Sequence, residues 1–116
     1  MRVIVTGGRN YEDRATVWRV LDELHAERPI EVLVHGGATG ADHLAHWWAR
    51  AKGVPVEIFR VLPDEWRSIG PSAGPIRNKR MIGSGADMVV AFPGGRGTAN
   101  CADLAAKAGI EVRRIS

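Results

Sequence analysis

A chain of 116 residues, 45% hydrophobic and 25% charged, has room for one modest core, so a single domain over 1–116 is expected. The formal charge of +3 is spread from Arg2 to Arg114 without a run of five or six basic residues, so a nucleic-acid partner is not expected. The opening MRVIVTGG has no apolar leader, and the lone Cys101 can form neither an internal disulfide nor a Cys-x-x-Cys pair, so no membrane partner is expected and the cytoplasm is the expected compartment.

In chain order, RVIVTG reads as a short β-branched strand. EDRATVWRVLDELHAER follows it, with Trp18, Leu21, Leu24 and His25 at helical spacing. The pattern repeats as strand EVLVHGG and helix GADHLAHWWARAKG, where Leu44, Trp47, Trp48 and Ala51 form a stripe ended by Gly53. VPVEIFRV is a third strand. LPDEWRSIGPSAGP, marked by proline and glycine, reads as a long connecting loop with a functional role. A short helix IRNKRMIGSG, a fourth strand DMVVAF, a helix TANCADLAAKAG and a fifth strand IEVRRI complete the chain.

Alternation of this kind predicts an α/β, Rossmann-like three-layer domain with a mostly parallel five-stranded sheet. Three double glycines fall just after strand ends, in TGGRN, HGGATG and PGGRGT. With strand order 3-2-1-4-5, which is assumed at this point, the first and fourth strands flank the crevice where such sheets bind ligands. Glycine permits close backbone approach, and exposed N–H groups at a helix start attract anions. The expected phosphate-binding residues are Gly7, Gly8, Arg9, Gly36, Gly37, Gly94, Gly95, Arg96, Gly97 and Thr98, with Thr98 also the expected cap of the last helix.

The segments TGGRNY, VHGGATGADHLA, GPIRNKRMI and AFPGGRGTAN together resemble the YspA-like, YpsA-related branch of the SLOG superfamily over nearly the whole chain. That superfamily joins the Smf/DprA DNA-processing proteins and the Lonely Guy (LOG) enzymes, so the resemblance implies a nucleotide-derived small molecule as partner. LOG enzymes cleave the base from cytokinin nucleoside monophosphates and carry a basic segment leading into PGGxGTxxE. By this resemblance Arg77 and Arg80, in IRNKRM, join the phosphate-binding set, and Gly94, Gly95, Gly97 and Thr98 match the glycine turn. Cys101 stands where the motif has its glutamate, so a LOG-like reaction would need another acid. Asp42, beside the HGG turn, is the candidate catalytic residue, and Asp103 a weaker one.

The expected function is therefore binding of a nucleotide or ADP-ribose-like ligand, as a sensor or carrier. The alternatives are a nucleoside monophosphate N-glycosidase and a DNA-processing module that binds single-stranded DNA. His43 and His46 are three apart, but no recognisable ligand set surrounds them; no metal and no cofactor are expected. His35 could line the crevice or be a structural histidine, and Cys101 reads as a small buried residue or an activated thiol. Adjacent Trp47 and Trp48 cannot share one helix face, which leaves one free to meet a second copy of the chain; Trp66 is placed to stack on a base or to anchor its loop.

Overall fold

A computed structural model describes residues 1–116. The β-branched run Arg2–Thr6 forms β1, and Arg14–Glu27 forms α1, whose first turn is capped by Asp13 accepting from the Thr16 amide at 3.1 Å. Val32–His35 is β2 and Ala41–Lys52 is α2, which stops at Gly53 in the left-handed conformation. Val56–Ile58 is β3. After α3 (Pro63–Ile69) and a 3₁₀ turn at Gly70–Ser72 come α4 (Ala73–Gly83), β4 (Met88–Ala91), α5 (Arg96–Lys107) and β5 (Glu111–Arg114).

All five strands are parallel and run in the order β3-β2-β1-β4-β5, with Val3 opposite Leu33 on one side and Met88 on the other. The order assumed from the sequence holds. The chain leaves β1 in one direction and returns to its other side at β4, so the strand order reverses between these two strands.

Side-chain alternation sorts the core into two layers. Val3, Val5, Leu33 and Val90 lie under α1 and α2, which contribute Val17, Leu21, Leu24, Ala45 and the fully buried Trp48. Ile4, Val34 and Val89 face Met81 and Ile82 of α4 and Cys101 and Ala105 of α5. Central parallel strands are covered on both faces, which explains their unbroken apolar runs.

The stretch read as a long loop is helical. Pro63 occupies the first position of α3, where its fixed φ and missing N–H suit a helix start, and the Glu65 carboxylate accepts from the Leu62 amide at 3.2 Å. Pro75 falls in the first turn of α4, where its missing N–H again costs nothing. No residue of α3 is buried, so this helix rides on the surface. No helix is long and apolar enough to cross a membrane.

Candidate functional site

The three glycine turns meet. The Gly8 amide donates to the Pro93 carbonyl at 2.8 Å, the Ala41 amide to the Gly8 carbonyl at 3.2 Å, and the Thr39 hydroxyl to the Arg9 carbonyl at 3.0 Å. Such close approach leaves no room for side chains. A β-carbon at Gly94 would lie 2.7 Å from the Gly8 nitrogen, and one at Gly40, where φ is +72°, would lie 2.6 Å from the Arg9 carbonyl.

Together the turns frame a cleft of about 590 Å³ at the carboxyl ends of β1 and β4. Gly7, Gly8 and Arg9 line it from the first turn, and Gly95, Arg96, Gly97 and Thr98 line it from the last. Gly94 stands behind them, against Gly8. Helix α5 begins at Arg96, so Gly95 is its cap residue and Thr98 lies inside the first turn; Thr98 makes no cap bond. The first-turn amides of α5, at Arg96, Gly97 and Thr98, have no partner within the helix and give this end of the cleft its donor character.

Arg77 also lines the cleft. Its guanidinium donates to the Gly36 carbonyl at 2.6 Å and to the Phe59 carbonyl at 3.3 Å, while Nε donates to the Asn78 side chain at 2.9 Å. Burial holds this guanidinium below its ordinary pKa, although Asp42 pulls the other way. Arg80, by contrast, turns away from the cleft and pairs with Glu65 of α3 at 3.2 Å. Gly36 and Gly37 open onto a smaller adjoining lobe of about 230 Å³ that shares Arg9, Ala38, Trp66 and Arg77 with the main cleft. Trp66, 39% exposed, therefore stands on the wall of both, with the Arg9 guanidinium 5.9 Å from its ring centre.

Asp42 is 5% exposed, and its Oδ2 accepts from the amides of Gly36 at 3.0 Å and Ala38 at 3.2 Å. Oδ1 has no partner within the protein and is not sealed from solvent, so it is the oxygen left to the cleft that Asp42 lines. Burial pushes this carboxyl up to about 6, against the pull of the two amides and of Arg77 and Arg9. Asp42 thus orders the turn through one oxygen and leaves the other without a protein partner. Asp103 lies away from this site, within 3.9 Å of Arg114.

Cys101 is fully buried, and burial pushes its thiol up to about 11, so it is a packing residue without nucleophilic character at neutral pH. His35 is buried at the end of β2. Its Nδ1 accepts from the Gly37 amide at 2.9 Å, so the neutral ring carries its proton on Nε2 and donates to His46 Nδ1 at 3.0 Å. Burial drives His35 down to about 4, with His46 adding to the effect. The His35–His46 pair supports the Gly36–Gly37 turn from below.

Two contributors escape notice in the sequence. Asn78 is buried in α4 and donates to the Gly97 carbonyl at 3.2 Å and to Asn100 Oδ1 at 3.0 Å, tying α4 to the start of α5. Arg60, just past β3, lines the adjoining lobe. The only sequence signal for Asn78 is a polar residue on the face of IRNKRMI that carries Met81 and Ile82; Arg60 has none.

Residues 1–67, from β1 into α3, match the family described as YAcAr, the YspA, cpYpsA-related SLOG family. The chain belongs to this SLOG family. The match takes in the TGGRN and HGGATG turns, while the PGGRGT turn lies beyond it. A curated relative, the Gene 61 protein of Mycobacterium phage D29, is 48% identical to this SLOG chain over 118 residues, covering 96% of this chain and 93% of that protein. Among solved structures, DNA processing protein A (DprA) from Streptococcus pneumoniae superposes with a TM-score of 0.79 over 99% of this chain at 21% identity, a likeness of fold. The SLOG chain spans half the length of that structure.

Proposed function

We propose that the protein binds a nucleotide or ADP-ribose-like phosphorylated ligand in the cleft between the β1 and β4 turns, as a sensor or carrier. The observation that carries this reading is where the unpaired arginines lie. Of thirteen arginines, seven sit in ion pairs with carboxylates. Of the six that do not, Arg9, Arg77 and Arg96 line the cleft around the free amides of α5. Guanidinium forks and helix-start amides converging on one cavity suit phosphoryl oxygens.

The test is calorimetric titration of the protein with adenosine 5′-monophosphate and ADP-ribose, alone and as the Arg96→Glu variant. Arg96 is exposed, so the variant keeps its circular dichroism spectrum and loses more than tenfold in affinity, in line with about 1.5–3 kcal/mol for a hydrogen bond to a charged group. Unchanged affinity in Arg96→Glu would remove the phosphate cradle from this turn.

The state of Asp42 favours a second reading, an N-glycosidase acting on a nucleoside monophosphate. A carboxyl poised near 6 with one oxygen toward the cleft suits general acid catalysis near neutral pH. Its proton would pass to the base as the bond from C1′ breaks, and water would add hydroxyl to C1′ and return a proton to Asp42. Free base and ribose phosphate released by the wild type, and lost in Asp42→Asn, would make this the activity; intact nucleotide retained by both proteins would leave binding as the function.

A further inference from the structure

The lobe beside the Gly36–Gly37 turn differs chemically from the main cleft. Its volume, about 230 Å³, lies below the range of roughly 300–1,000 Å³ usual for whole-ligand pockets, so it fits a group and not a nucleoside. Three guanidinium groups, those of Arg9, Arg60 and Arg77, border it, and no carboxylate does. Arg60 has neither an ion pair nor a hydrogen bond within the protein. Its stem lies over Gly37, within 2.9 Å of where a β-carbon would stand, and φ of +73° there further restricts the position to glycine. Arg77 is fixed by the Gly36 carbonyl and Asn78, which sets the far wall. Asp42 is the one carboxylate acting on Arg9 and Arg77, a single negative charge against three guanidinium groups, and an anion in the lobe would relieve the repulsion that is left.

We propose that the ligand carries a second phosphoryl group, remote from the first, and that Arg9, Arg60 and Arg77 hold it in this lobe. The proposal rests on the nucleotide-binding reading and specifies the ligand class: a nucleoside phosphorylated at both ends, as in a 3′,5′-bisphosphate. One phosphoryl group meets the α5 amides and Arg96. The base lies along Trp66, which lines both compartments, and the other phosphoryl group reaches Arg60. A diphosphate chain, whose two phosphorus atoms are next to each other, carries the added charge without the separation and is the control for charge alone.

Calorimetry with the four nucleoside 5′-monophosphates, the 5′-diphosphates and the 3′,5′-bisphosphates, on wild type and Arg60→Gln, tests this. The preferred bisphosphate is expected to bind at least tenfold tighter than its monophosphate and its diphosphate, and Arg60→Gln is expected to erase that gap through loss on the bisphosphate. Equal affinities, an equal gain for the diphosphate, or an Arg60→Gln loss shared by all three classes would overturn the second site. If monophosphates bind and the bisphosphates gain nothing, the cleft stands and the lobe falls. If no nucleotide of any class binds a folded protein, the nucleotide reading falls and takes the lobe with it. An eight-nucleotide oligothymidylate distinguishes the sources of the same unit: binding that depends on Arg60 and weakens steeply with salt would assign it to a single strand, and binding of the free bisphosphate alone to a small molecule.

Discussion

Arg14 and Arg50 lie in a depression between α1 and α2 that is as large, about 590 Å³, as the cleft that holds Arg9, Arg77 and Arg96. The two regions share unpaired arginines and a tryptophan, yet they are built differently. In the depression the walls are side chains of two helices: Trp18 under the Arg14 guanidinium at 4.5 Å, Leu44, and Trp47, which is 52% exposed. In the cleft, side chains such as Arg77 and Asn78 stand beside glycine turns that are bonded to one another and beside the first turn of α5. A guanidinium stacked on a half-buried surface ring still faces water, whereas one beside fixed amides has the arrangement that a preorganised anion site requires. Charge alone does not mark a site; charge beside immobilised donors does.

The first way to break this contrast is to fill the backbone gap. Gly40→Ala would press a methyl group on the Arg9 carbonyl at a positive φ, and the expected loss is at least about 3 kcal/mol in urea denaturation, from strain and overpacking together. Gly53 ends α2 near the depression with the same φ of +72° but open space around it, so Gly53→Ala is expected to lose only about 1 kcal/mol. Equal losses would show that the turns do not depend on close approach.

Acid sharpens the contrast next, because two buried groups under the Gly36–Gly37 turn respond oppositely. Asp42 titrates near 6, above the ordinary 3.8, so its stabilising contribution is full below about pH 4 and is lost as pH rises through 6. His35 titrates near 4, below the ordinary 6.5, so its contribution is full above pH 6.5 and is lost as pH falls through 4. The contributions offset each other in the wild type. Between pH 6.5 and 4, Asp42→Asn is expected to lose up to about 3 kcal/mol relative to wild type, and His35→Gln to gain. Parallel stability curves for the three proteins would refute the opposition.

The smallest effect is expected at the depression itself. The double variant Arg14→Ser/Arg50→Ser should leave nucleotide affinity within twofold and stability within about 0.5 kcal/mol, as ordinary surface substitutions do. A tenfold drop in affinity in this variant would move the binding site to the helices.

Much of this architecture is legible in the sequence because strand and helix periods are local. The β-branched runs, the glycine turns after them and the stop at Gly53 identify the layers. Gly7, Gly8, Arg9, Arg77, Arg96 and Thr98 do reach one cleft. What the sequence conceals is set by tertiary contact. Residues 62–75 look like a loop because Pro63, Gly70, Pro71 and Pro75 punctuate them, yet each proline falls where a helix start or turn accepts it. Arg77 and Arg80 share a motif and a helix, and only Glu65, from another helix, separates their destinations. Arg60 joins Arg9 across 51 positions of chain, a meeting that no local pattern announces.

The hydrogen bond from Gly8 to Pro93 has a consequence for the order of assembly. It joins residues 85 positions apart, and the amides it brings into place belong to α5, so the cleft is not complete until β4 has been laid beside β1. Contacts of such long range are the slow ones to form. During synthesis the first three strands and their helices emerge well before Pro93 does, leaving one edge of β1 unpaired. On the binding function proposed above, a ligand held by both turns would engage only after the sheet has closed its central seam, and its retention would report a finished molecule.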